Sequence, residues 1–128
     1  MGNIMREIKF RVYDTERKNY MYPNDLEHGD YSLGVLSGEV RGKYGEVFPN
    51  FVVEEFTGLK DKNGQDIYEG DLIKMTVTKD VHHEGNVIFK NGAFGINRML
   101  LGVERFTPFT AYANYCKIEI TKKDEKTN

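Results

Sequence analysis

Three histidines, one cysteine, two serines and 20 Asp plus Glu are among the groups in this 128-residue chain able to act as ligands, nucleophiles or proton carriers. Neither Ser32 nor Ser37 lies in Gly-x-Ser-x-Gly: Val35 and Glu39 stand two positions either side of Ser37. Gly42-Lys43 lacks phosphate-loop spacing, with Ser37 five positions before the glycine and Tyr44 after the lysine. His82-His83-Glu84 offers adjacent imidazoles, but neighbours in a strand point to opposite faces, and His28 and Cys116 are distant in sequence. Asp61 to Asp66 resembles a calcium loop only superficially, since Asp66 and Leu72 occupy the positions that need Gly and Glu. Cys116 alternates with Ile118 and Ile120, the pattern of a buried, inert thiol. Glu54-Glu55 and Glu69 with Asp71 could exchange protons in a pocket, but Asp71 follows Gly70 and is expected to accept backbone N–H bonds in a turn. These residues predict no catalytic centre, no metal site and no cofactor. An enzyme would require Glu54, Asp71 and His82 to meet in one deep polar pocket.

The elements that must position these residues are strands. Val and Ile together number 18 and Ala and Leu 10, and β-branched side chains fit pleated surfaces better than helices. Ile8, Phe10 and Val12 alternate with Lys9, Arg11 and Tyr13, which predicts a first strand with one wet face. A short strand follows at Tyr20 to Tyr22, ended by Pro23, and residues 24 to 30 read as a solvated loop or single helical turn. Gly34, Gly38, Gly42 and Gly45 break the next stretch into short strands and turns. Pro49 precedes a strand at about Phe51 to Leu59. Lys60 to Asp66 forms a polar turn, and Leu72 to Val77 a strand entered through Gly70.

Val87 to Lys90 and Ala93 to Ile96, separated by Asn91-Gly92, fit a two-residue hairpin that sets Phe89 opposite Phe94 and Val87 opposite Ile96. Leu100 to Tyr112 is ambiguous around Pro108. A closing strand spans Cys116 to Ile120, and residues 121 to 128, without an apolar side chain, are expected to be disordered.

Composition limits the function classes. Lys plus Arg number 18 against 20 Asp plus Glu, a net charge of −2. Nucleic-acid binding remains the alternative reading, through Lys9, Arg11, Arg17 and Lys18, then Lys60, Lys62 and Lys74, with Tyr13, Tyr20 and Tyr68 as stacking faces. Balanced charge weighs against it, because phosphate binding draws on clustered cations. No apolar run reaches the roughly 18 residues of a membrane span, so no membrane is expected. A lone cysteine fits the reducing cytoplasm.

Met5 to Asp14, Phe56 to Lys74, and Gly85 to Phe89 with Gly92 to Gly95 resemble the YopX family of bacteriophage and prophage proteins. Tyr13 stands where that family often carries Trp, and the ending from Cys116 to Asn128 differs from its usual one. The resemblance implies a mainly β protein, a small SH3-like barrel with an N-terminal β-rich extension, without an assigned activity. On that basis the chain divides into an extension at 5–57, a barrel at 58–120 and a tail at 121–128. Gly58, Asn63, Gly64, Gly70 and Asp71 are turn-building residues. The resulting expectation is a non-enzymatic binding module in the bacterial cytoplasm, with a host or phage protein as partner. Lys60, Lys62, Tyr68 and Arg98 are its contact positions, and an exposed edge strand gives a route to homo-oligomers.

Overall fold

The structure, a computed structural model, describes residues 7–22, 32–33, 40–42, 44–112 and 117–122. It is mainly β and antiparallel throughout, with a single 3₁₀ turn at Phe109–Ala111 among the described residues. The chain forms two compact units that divide between Phe56 and Thr57.

In the first unit, β1 (Phe10–Asp14) pairs with β2 (Asn19–Met21) on one side and with the opening of β5 (Phe51–Lys60) on the other. Two short strands, β3 (Ser32–Leu33) and β4 (Val40–Arg41), pair with each other. Pro49 lies in the turn ahead of β5, where a residue without an N–H costs no ladder bond. The core is small: Val12 and Val40, against which Met21, Phe48, Phe51 and Val53 pack. The expected wet face of β1 is absent. Arg11, Val12, Tyr13 and Asp14 are all buried, because Glu54 stands opposite Arg11 and neutralises it.

The second unit begins with the end of β5, flanked by β6 (Asp66–Tyr68). Its main element is a five-stranded sheet in the order β10-β9-β8-β7-β11, curled into a half-barrel. These strands are β7 (Leu72–Thr78), β8 (Val81–Lys90), β9 (Ala93–Leu100), β10 (Val103–Pro108) and β11 (Lys117–Lys122). The β8–β9 hairpin has the expected register, Val87 opposite Ile96 and Phe89 opposite Phe94, and turns through Asn91 and Gly92 at φ 54° and 82°. Both residues occupy the left-handed region, which Asn and Gly tolerate best.

Ile67, Ile73, Met75, Val87 and Ile96 form the core of this unit, with Phe109, Tyr112, Ile118 and Ile120 packed against it. Each fully buried apolar side chain contributes about 1.5–3 kcal/mol, whereas an exposed ion pair contributes about 0–1. The core, not the surface Lys60–Asp66 pair, therefore holds this unit together.

The sequence reading of several segments is refined or falls outside the description. Leu100 to Tyr112 resolves into the β9 end, a tight turn, β10 and the 3₁₀ turn. β8 begins at Val81 and so includes His82 and His83. β11 continues through Thr121 and Lys122, two residues assigned to the tail. The loop at 24–30, Gly34, Gly38, Cys116 and residues 123–128 lie outside the described residues.

Candidate binding groove

The groove of the second unit is built from a turn, a sheet face and a 3₁₀ corner. Asp61 organises the turn: its carboxylate accepts the N–H groups of Asn63 and Gln65 at 2.9 Å each and that of Ile120 on β11 at 3.2 Å. A six-residue polar turn with Asn-Gly needs such an acceptor for its inward amides. The Lys62 N–H also donates to the Ile118 carbonyl, at 2.8 Å. This turn thus closes over β11 and makes one wall of the groove. Lys60 ends β5, and its ammonium meets the Asp66 carboxylate at 2.6 Å, while Lys62 reaches Glu119 at 3.3 Å.

The floor and opposite wall come from Met75, Phe94, Phe109, Tyr112 and Ile118, enclosing about 780 Å³. Met75 is buried and Phe94, Phe109, Tyr112 and Ile118 are half-buried, so the floor is apolar with wettable aromatic edges. Lys117 lies on the rim, exposed, and makes no ion pair among the described residues. The groove therefore carries cations at its margin and an apolar base. Its polar groups include the Lys60, Lys62 and Lys117 ammoniums, the Asp61 carboxylate and the Tyr112 hydroxyl.

The expected contact residues separate. Lys60 and Lys62 line the groove. Tyr68 is 2 % exposed and belongs to the interior, which corrects its assignment to a surface. Its N–H donates to the Asp71 carboxylate at 2.9 Å, so Asp71 builds the turn ahead of β7. Arg98 lies on β9, away from the groove lining, beside His83.

The carboxylates and histidines weighed for chemistry are engaged locally. Glu54 accepts from Arg11 and Tyr20, and His82 Nδ1 lies 3.3 Å from the Thr76 hydroxyl. His83 Nδ1 lies 3.0 Å from the Tyr112 hydroxyl. Burial, and then the neighbouring Arg98 charge, hold the His83 imidazole below its ordinary pKa of 6.5. Among the described residues no group of His, Cys, Asp or Glu is placed to hold a metal ion. Of the positions considered for nucleic acid, Arg11, Tyr13 and Tyr68 are buried and present no surface.

The family model described as YopX protein matches residues 9–122, which is most of the chain. The chain belongs to the YopX family. The YopX match extends through both units, and the turn residues of its middle block do the structural work their types imply. Gly64 and Gly70 take φ of 83° and 90°, a region that L side chains rarely adopt. A search of the curated proteins gives no significant match. Among the described residues no helix is long and apolar enough to cross a membrane.

Sequence reasoning missed Lys117, Phe109 and Tyr112 as groove residues. Phe109 and Tyr112 come from the corner after Pro108, where the pattern was ambiguous, and Lys117 from β11, whose alternation marked a strand but not what it would border. Pro108 marked a corner, but nothing in the pattern said that the corner would fold over Met75.

Proposed function

We propose that this chain is a phage- or prophage-encoded, non-enzymatic binding module of the bacterial cytoplasm, and that its groove takes an extended acidic and apolar segment of a host or phage protein. The observation that carries this reading is the pairing of an apolar floor with a lysine rim on which Lys117 has no counter-ion among the described residues. Lys60 and Lys62 are held by Asp66 and Glu119 in exposed pairs, worth about 0–1 kcal/mol each, so an incoming carboxylate competes for them at little cost. Phe94, Phe109 and Ile118 supply apolar area, which gives affinity, while the rim sets which segments are admitted. An SH3-like course for the curled sheet accords with the antiparallel order of its strands and with the family resemblance.

Selection of random dodecapeptides displayed on a carrier against the full chain tests this reading. Enrichment of peptides combining Asp or Glu with aromatic or aliphatic residues is expected. Their binding should fall about tenfold or more in Tyr112→Ala, where an aromatic contact is lost, and severalfold in Lys117→Glu. Peptides without that composition, or binding untouched by both substitutions, would remove the groove as the contact surface.

A further inference from the structure

We infer that Arg98 and Arg105 together form an oxyanion site, sized for a single phosphate group, at the base of the β9–β10 hairpin. The two arginines are direct cross-strand partners in the register of that hairpin. Directly opposed residues share one face of a sheet with Cβ atoms about 5 Å apart, and like charges so placed repel. Neither arginine makes an ion pair among the described residues. Glu104 precedes Arg105 but alternates to the other face, and Glu84 alternates away from His83 in the same manner.

Arg98 is not simply waving in solvent. It is half-buried, and its Nε is buried with no hydrogen-bond acceptor among the described residues. A buried guanidinium donor without a partner is a costly arrangement unless something supplies the acceptor. His83 and Tyr112 complete the surroundings, with the imidazole Nδ1 and the phenol oxygen 3.0 Å apart. The depressed basicity of His83 reflects partly the nearness of the Arg98 charge, which places the positive field on this side of the sheet.

Two arginines on one face of the sheet, with no ion pair to either among the described residues, suit an oxyanion bearing several acceptor oxygens, because each guanidinium can engage two oxygens at once. One such pair matches one phosphate group, free or esterified. A nucleic-acid backbone instead needs a succession of cations along its path, and neither the −2 net charge nor this isolated pair supplies one. Neither arginine lines the groove, although Tyr112 borders it.

The test is a titration of the full chain with inorganic phosphate, and separately with phenyl phosphate, at constant ionic strength with chloride as the competing anion. It is followed by NMR at the Arg98 Nε–H and His83 ring signals. Saturable shifts at both are expected, weakened about tenfold in Arg98→Gln and severalfold in Arg105→Gln. Arg105 is exposed, so its variant leaves folding intact and keeps the test valid if Arg98→Gln perturbs the sheet. Tighter binding of phenyl phosphate assigns an esterified source, and equal binding a free anion; both uphold the site. Non-saturating shifts, or affinities unchanged in both variants, overturn it. So does an oligothymidylate that binds with a many-ion salt dependence and ignores both substitutions.

Discussion

Arg11 Nε donates to Glu54 Oε1 at 2.8 Å across the β1–β5 ladder, with side chains 0 % and 5 % exposed. The Tyr20 hydroxyl donates to the same oxygen at 3.1 Å, and the Arg11 guanidinium lies 4.0 Å from the Tyr20 ring centroid. An ion pair so deeply buried gains little overall, since desolvation offsets attraction, yet removing one partner strands the other. Arg11→Met alone is therefore expected to destabilise the protein by about 3–5 kcal/mol. Combining it with Glu54→Leu should recover most of that loss. Urea unfolding of the two variants measures both, and equal losses would show that the stranded charge is not the cause.

Asp61 ties the 61–65 turn to β11 through three backbone amides. Asp61→Ala leaves those donors without their acceptor, and hydrogen bonds to a charged group contribute about 1.5–3 kcal/mol each. A loss of about 2–4 kcal/mol is expected after solvent replaces part of the lost bonding. Hydrogen exchange should accelerate at Ile120 more than at Val87, whose amide bonds to the Asp71 carbonyl instead.

Leu101 sits at the β9–β10 turn with φ 52°, fully exposed. A left-handed leucine costs about 1–2 kcal/mol, and no burial offsets it there. Leu101→Asn is expected to raise stability by about 1 kcal/mol, because Asn visits that region readily. Thermal unfolding checks this: an unchanged or lower midpoint would mean that the leucine makes a contact worth its strain.

His83 is held below its ordinary pKa, first by burial and then by Arg98. The folded state thus favours the neutral ring. Above the unfolded pKa of 6.5 both states are neutral and the full stability is present. As pH falls, the unfolded chain takes up the proton first, and stability declines until the folded pKa is passed. His83→Asn should flatten this part of the stability profile between neutral and mildly acidic pH, measured by denaturant midpoints at several pH values.

Much of this architecture could be read before any coordinates, and the unread parts share a cause. Asn91-Gly92 announced its hairpin because both residue types prefer the conformation that the turn needs. Leu101-Gly102 makes a comparable turn but begins with the wrong residue, so nothing marked it, and Arg98 and Arg105 could not be recognised as partners. Arg11 reads as a wet-face residue by alternation; only the register with Glu54, 43 positions away, makes it an interior one. Tyr68 looked like a contact residue for the converse reason: an amphipathic ring beside a polar turn gives no local sign of whether it faces in. Lys60 and Lys62 did reach the groove, since a polar turn must lie at a surface whatever packs beneath it.

The closure of the 61–62 turn over β11 also bears on how many molecules can join. With the Ile118 carbonyl and the Ile120 amide already bonded to that turn, the outer rim of β11 offers no continuous ladder to a newcomer. The opposite rim, β10, has no further strand beyond it among the described residues. Pairing β10 with β10 of a second copy would consume the open rim of both sheets and leave blocked rims facing outward. Main-chain pairing through this one sheet would therefore close at two copies rather than extend.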